Sequence, residues 1–313
     1  MRGKFLSAVL VLLFAAVLLA GCGENAVGPG GAETTDQSQI AGTLVSAPSL
    51  IEDGLFASSA PTALASAARG ASQSPATPIE PHTFWRSISS ATRHFEFAFA
   101  DTDTTGHPTT ALVTVNWRLL GTLNIVTASE PPPEPDVMAA QEHIVRKPLD
   151  DQWVRRVLLK RVPPEGEGMD RAFWRIAAVT GVEVTSREAT TRIVSLRVQA
   201  AGMDTTITDP LALILLRQIL RFAPDEAVTL TVTTTRDDDV VLLYHAEQRE
   251  RMANVGTNTY AGTLPAGSLE GWRHFGVNAL SHGTLYDDAE PYDSKAWILP
   301  YVIATTPEVD YLP

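Results

Sequence analysis

The chain has 313 residues, with 36 Asp and Glu against 24 Lys and Arg, a formal charge of −12, and 44% hydrophobic residues. An acidic surface repels phosphate backbones and anionic headgroups, which argues against a nucleic-acid partner and against membrane adhesion through basic patches. Cys22 is the one cysteine, so no intrachain disulfide forms and stability must come from a buried core, for which the length allows one large domain or two ordinary ones.

In chain order, Arg2 and Lys4 lead an apolar run over residues 5–20, broken only by Ser7, before the small Ala20 and Gly21 and then Cys22. A bilayer-spanning helix needs about 20 apolar residues, so this shorter run with a small-residue end predicts a removable secretion signal over residues 1–21. Leu19-Ala20-Gly21-Cys22 resembles the lipobox of bacterial lipoproteins. The resemblance implies cleavage before Cys22, a diacylglycerol thioether on its sulfur and a further acyl chain on the freed amine. It also implies a place: lipid-anchored in the bacterial cell envelope, with the membrane as a partner through the lipid. Because Gly23 is not aspartate, the outer membrane is favoured in a diderm cell. Each buried methylene contributes about 0.8 kcal/mol and one chain binds only reversibly, so lasting attachment needs the second and third chains. Loss of Arg2 and Lys4 with the signal leaves 22 basic groups against 36 acidic ones, a charge of −14.

Residues 22–80 are rich in Ala, Ser, Thr, Gly and Pro, and read as a flexible tether with a weak apolar island over residues 44–56 that forms a transient helix or docks on the body. Roughly 58 such residues have a root-mean-square span on the order of 40 Å. The folded part then opens with one or two helical turns over residues 82–88. Beyond them Phe95, Phe97 and Phe99 alternate with His94 and Glu96, the pattern of a half-buried strand. A polar turn over residues 101–110 leads to a second alternating run carrying Ala111, Val113, Val115 and Trp117, which makes a hairpin. A third strand follows over residues 119–128, with Gly121 at a bulge, and the proline-rich residues 130–135 form an extended loop.

Residues 149–162 fit a helix capped by Asp150 and Asp151 or a strand in which Arg156 and Lys160 alternate with apolar neighbours; a long hairpin with residues 173–179 is the favoured reading. Residues 182–185 and 192–200 predict another hairpin. Asp209-Pro210 has the cap and first-turn proline of a helix over residues 211–220 that bridges two domains. Strands follow over residues 227–235, 240–245, 259–264, 272–280 and 296–303, with turn signals about every ten residues. Residues 225–303 thereby resemble an immunoglobulin-like or fibronectin-type module in architecture. The expected fold is mainly β: a first antiparallel domain over residues 81–208, an immunoglobulin-like sandwich over residues 209–313, and short helices.

The search for chemistry finds no nucleophile elbow, no paired histidines at zinc-binding spacing and no phosphate loop, so no catalytic site is predicted. Asp101-Thr102-Asp103-Thr104-Thr105-Gly106 matches the first half of a calcium loop, but Leu112 stands where a bidentate glutamate is needed, and a polar turn explains the same residues. On the strand over residues 272–280, Trp272, His274, Gly276 and Asn278 share a face, either a recognition patch or an interdomain contact. The strongest candidate surface is the loop over residues 281–295. His282, Tyr286, Asp287, Asp288, Glu290, Tyr292 and Asp293 would coordinate calcium or present stacking and hydrogen-bonding groups to a glycan or protein partner. The alternative is that Tyr292 and Trp297 only pin the loop to the core. The expected function is a lipid-anchored envelope protein with a binding or structural role. A carboxylate-based hydrolase of an envelope polymer, and a passive spacer, are the alternatives.

Overall fold

Alternation of inward and outward side chains at period two governs this chain over unusual lengths. The structure, a computed structural model, describes residues 31–51, 60–64, 76–127, 143–163, 173–245 and 248–305. Cys22, residues 1–21 and the proline-rich residues 130–135 lie outside them. The chain divides into two units, Met1–Ser38 and Gln39–Pro313, and every strand belongs to the second.

The elements in order are helices α1 (Gly31–Val45) and α2 (Pro48–Ile51), then strands β1 (Thr62–Ala63), β2 (Pro81–Thr102), β3 (Pro108–Thr127), β4 (His143–Val162), β5 (Phe173–Val179), β6 (Val182–Ser186), β7 (Ile193–Ala200), β8 (Met203–Ile207), β9 (Ile214–Leu215), β10 (Leu220–Phe222), β11 (Ala227–Thr234), β12 (Val240–His245), β13 (Gln248–Arg251), β14 (Ala253–Gly256), β15 (Thr259–Pro265) and β16 (Gly271–Leu280), then helix α3 (His282–Tyr286) and strand β17 (Ser294–Ile303). The fold is mainly β, as expected. A large sheet runs β1-β2-β3-β4-β6-β17-β16-β12-β13, with β5, β9 and β10 attached beside it, and a smaller sheet runs β14-β15-β11-β7-β8. Among the described residues all strand pairs are antiparallel except β10 with β17.

The two sheets pack face to face. Leu196, Val198, Val228, Leu230 and Val232 of the small sheet meet Val241, Leu243, Phe275, Val277 and Leu299 of the large one. This is the expected sandwich-like packing, with the inward Val228, Leu230 and Val232 of β11 fully buried. The opposite face of the large sheet curls around a second core that includes Phe84, Leu123, Ile125, Trp153, Val184, Leu242, Tyr244 and Ile298. The curl brings the two end strands together, where Arg249 of β13 donates to the Ala60 carbonyl at 3.0 Å and to Thr62 Oγ1 of β1 at 3.3 Å.

Several local expectations give way to the pairing. Residues 82–88 are not helical but the start of β2, because each can pair with β3. The bulge falls opposite Gly121, where the register shifts between Ile88 and Ser90. A Cβ at Gly121 would run into the Ser87 carbonyl, so glycine is required at this close approach. Residues 211–220 are not one helix: β9, a 3-10 turn at Leu216–Gln218 and β10 replace it, and Asp209 Oδ1 instead accepts the Leu211 N–H at 2.8 Å in a local turn. Strands β6 and β7 do not form a hairpin; β6 pairs β4 and β17, while β7 pairs β11 and β8. Pairing of β7 with β11 therefore crosses position 209, the expected domain boundary. The stretch read as a tether contains α1, α2 and β1. Ile40, Leu44, Leu50 and Ile51 are buried against Val113, Val115, Val157, Leu159 and Trp174. Their apolar spacing is too sparse to hold an isolated helix, but a prebuilt sheet face supplies the missing partner.

Candidate functional site

Strand β4 organises the interior of the large sheet. Its odd positions from Val145 to Leu159 are all buried, as strict alternation requires. Three of these inward positions, four residues apart, carry charge: Lys147, Asp151 and Arg155. A buried charge must be paired or hydrogen-bonded, and each of the three answers that demand with a different part of the chain.

Lys147 Nζ donates to the carbonyls of Gly283 at 3.0 Å, Asp287 at 2.5 Å and Glu290 at 2.6 Å. These belong to the candidate stretch 281–295, so the hard-oxygen cage there is built from backbone and holds an ammonium. Burial pushes the Lys147 ammonium down to about 8, opposed by Asp287, Asp288 and Glu290. The stretch is not an open loop. Ser281 caps α3 by accepting the Thr284 N–H at 3.2 Å, and His282 stacks on Tyr286 with ring centroids 4.5 Å apart. Burial lowers the His282 pKa.

The carboxylates of the stretch point to separate tasks. Asp287 accepts the N–H groups of Ala76 at 2.7 Å, Thr77 at 3.1 Å and Ala289 at 3.0 Å. Although burial opposes it, these bonds and Lys147 hold its pKa below the usual value. Asp293 accepts from the N–H and hydroxyl of Thr190 and the N–H of Thr191. Asp288 gives its own N–H to the Thr77 carbonyl, and the Glu290 side chain lies against Gly283. Among the described residues no three His, Cys, Asp or Glu side chains converge as a metal site.

Tyr292 leads to the second charge. Its hydroxyl donates to Asp151 Oδ2 at 3.1 Å and accepts from Arg86 Nη2 at 2.9 Å, while Arg86 Nη1 lies 3.4 Å from the same carboxylate oxygen. Arg86 is 2% exposed and Asp151 0%. Burial raises the Asp151 pKa, opposed by Arg86 and Tyr292. Burial also opposes charge on Arg86, but Tyr292 and Asp151 outweigh it and hold the guanidinium protonated. Nearby, Ser294 donates to Asn278, which donates to the Tyr244 hydroxyl. The face bearing Trp272, His274, Gly276 and Asn278 therefore turns into the interior of the large sheet, with Asn278 fully buried. The third charge, Arg155, donates to the carbonyls of Leu50 at 2.8 Å and Ile51 at 2.9 Å, fastening the end of α2.

Asp239, at the end of the acidic turn of Asp237, Asp238 and Asp239, is 3% exposed. Burial, with Asp238 and Asp293 adding repulsion, raises its pKa to about 7. A carboxyl raised on folding contributes stability below its unfolded pKa that is lost as pH rises through the folded one. The melting temperature of the wild type should therefore fall from pH 5 to pH 8 by more than that of Asp239→Asn, a difference of up to about 2 kcal/mol. Parallel melting curves for the two proteins across this range would show that Asp239 does not titrate there.

The calcium-like turn is a closed polar turn. Asp103 Oδ1 accepts the Thr105 hydroxyl at 2.7 Å, the Thr105 N–H at 2.8 Å and the His107 N–H at 2.9 Å, and the Thr105 hydroxyl bond leads in lowering its pKa to about 2. Asp101 has a left-handed backbone (φ 52°) and takes the Thr110 hydroxyl.

What the sequence reading left out as a surface is the edge of β2. Phe95, Phe97 and Phe99 are half-buried on its inward face, with ring centroids 6.3 and 6.4 Å apart, and Trp174 continues the row 6.1 Å from Phe99. Arg93 lies on the same face with its guanidinium 4.3 Å from the Trp117 ring, which stacks on Trp153. Below this stack a cavity of about 20 Å³, lined by Ile51, Val115, Trp117, Trp153, Arg155 and Val182, has room for about one water. The alternation of phenylalanines signalled the strand, but only the sheet order shows that it is an edge: among the described residues β1 alone lies beyond β2, pairing at Thr83 and Phe84. Compared with known protein families, with curated proteins and with solved structures, the chain matches none of them.

Proposed function

We propose that this is a lipid-anchored protein of the bacterial cell envelope, held by acyl chains on Cys22, that binds another polypeptide along the edge of β2. The Leu19-Ala20-Gly21-Cys22 signature supports the anchor and place, with the outer membrane as the site in a diderm cell. The observation that carries the binding role is the half-buried phenylalanine row on a strand beyond which, among the described residues, β1 alone pairs, at Thr83 and Phe84. Such an edge is a template for an added strand, and the aromatic row supplies the apolar surface that gives the added strand affinity. Residues 281–295 act in this reading as a structural keystone, because Lys147 already fills their oxygen cage.

The test has two arms. Mass spectrometry of the mature N-terminus should find a lipid-modified Cys22, and Cys22→Ser should leave the membrane fraction; a normally processed, membrane-retained Cys22→Ser protein would falsify the anchor. A photoreactive residue at Phe97 should give adducts in intact envelopes that the same residue at Thr205 on β8 does not. Equal labelling at both edges removes the case for β2 as the binding surface.

A further inference from the structure

Resting on the reading of Cys22 as a lipid anchor, we infer that the outer face of β3, β4, β5 and β9 lies against the headgroups of an anionic phospholipid bilayer. The chain is acidic as a whole, but its charge is unevenly spread. Residues 152–162, 173–182 and 210–222 hold six arginines, one lysine and no Asp or Glu, and the intervening residues 163–172 add three carboxylates and one arginine. Strand β5 pairs with both β4 and β9, which gathers these stretches in one place. On the outer face Lys160 stands directly opposite Arg175. Both are exposed, as is Arg156 on the same face, and neither Lys160 nor Arg175 has an ion-pair partner among the described residues. Like charges directly opposed disfavour pairing, and an anion shared between them turns the repulsion into attraction.

Beside this pair the same face is apolar. Ala98, Leu112, Leu158, Ala178 and Leu215 stand in one row across β2, β3, β4, β5 and β9, and Leu215 is 36% exposed. On the other side of the cations Phe173, opposite Val162, is 44% exposed. The small sheet covers this face elsewhere, at Trp297, which is in register with Glu183 and through it with Val154. Exposed apolar groups beside cations suit the boundary between headgroups and acyl chains. The reach of the anchor selects the bilayer as the occupant. Thr43 Oγ1 of α1 lies 3.4 Å from the carbonyl of Trp174, the residue between Phe173 and Arg175. Nine residues lead from Cys22 to the start of α1 at Gly31 and twelve more to Thr43, a reach of at most about 50 Å with the helix formed. The leash therefore joins the body beside this face and keeps it at high effective concentration over the lipid. Acyl chains retain the protein, and this contact orients it.

The mature chain has three lysines, Lys147, Lys160 and Lys295. Lys147 is buried, so amine acylation followed by mass spectrometry reads this face through Lys160, with Lys295, paired with Glu183, as the reference. The full mature chain is coupled through its Cys22 thiol to a maleimide lipid in vesicles, which supplies an anchor whatever the cell attaches. On vesicles of phosphatidylcholine with about one quarter phosphatidylglycerol, Lys160 should react about fivefold more slowly than on pure phosphatidylcholine, the preference of one cation for an anionic leaflet, while Lys295 changes by less than about twofold. The difference should vanish in about 1 M salt, where the screening length falls to about 3 Å, and Arg156→Gln with Arg175→Gln should abolish most of it. Equal Lys160 rates on the two vesicles, or equal slowing of Lys295, would overturn the contact. Equal protection by inorganic phosphate in solution would make the face a small-anion site instead. Failure of the anchor reads separately: an unmodified Cys22 in cells, with Lys160 protected on the vesicles, removes the anchor alone, and a lipidated Cys22 without that protection removes the contact alone.

Discussion

Lys147→Met is expected to lower the melting temperature by about 10 °C. The substitution keeps the length of the side chain and deletes its ammonium, leaving the Gly283, Asp287 and Glu290 carbonyls without their shared donor. Leaving a buried carbonyl unsatisfied costs about 1–3 kcal/mol, so three together cost several, and in a domain of this size each kcal/mol moves the midpoint by about 2–4 °C. The damage should also spread along a defined path. Asp287 sits in the cage and holds the backbone of Ala76 and Thr77, so amide exchange should quicken at Ala76 and Thr77 as well as across residues 283–290, while β11 and β15 stay protected. Wild-type exchange at Ala76 in the variant, or a melting temperature within two or three degrees of wild type, would show that water replaces the ammonium at little cost.

The second large effect belongs to Arg86. Arg86→Met leaves Asp151, fully buried, without its facing cation and with the Tyr292 hydroxyl as its donor among the described residues, and should destabilise by about 3–5 kcal/mol. Asp151→Asn alone leaves the buried guanidinium without its facing carboxylate. The double variant Arg86→Met, Asp151→Asn removes both charges and keeps an acceptor for Tyr292, so it should recover at least half of the loss, giving a coupling on the order of 2 kcal/mol in a four-protein melting cycle. Additive losses would mean that the pair contributes packing alone.

The same strand shows why some of this site was legible and some was not. In β4 the inward row reads Val145, Lys147, Leu149, Asp151, Trp153, Arg155, Val157, Leu159. Three charges in that row break the apolar alternation on which a sequence reading depends, which is why residues 149–162 fit a helix nearly as well as a strand. In β11, where the inward positions are Val228, Leu230 and Val232, the strand was plain. The residues of 281–295 stand out in the sequence because a short stretch with four carboxylates and two tyrosines has to find partners. Among the described residues their partners include Lys147, Thr190, Thr191, Asp151 and the backbone of Ala76 and Thr77, none of them near in the chain.

The sequence by itself determined that the chain folds mainly as antiparallel strands, since period two is local and each strand carries its own pattern. The proposal of export and lipidation likewise rests on adjacent residues alone, Leu19-Ala20-Gly21-Cys22 behind a short apolar run. Only the tertiary structure decided which strands share a sheet, that β6 and β7 part company, that Ile40, Leu44, Leu50 and Ile51 pack on the large sheet, and that among the described residues β1 alone lies beyond β2. Pairing is a choice among partners of similar local pattern, settled by long-range packing and by where buried charges can be satisfied. Lys147, Asp151 and Arg155 have meaning only once the sheet has curled and brought Glu290, Tyr292 and Ile51 to them.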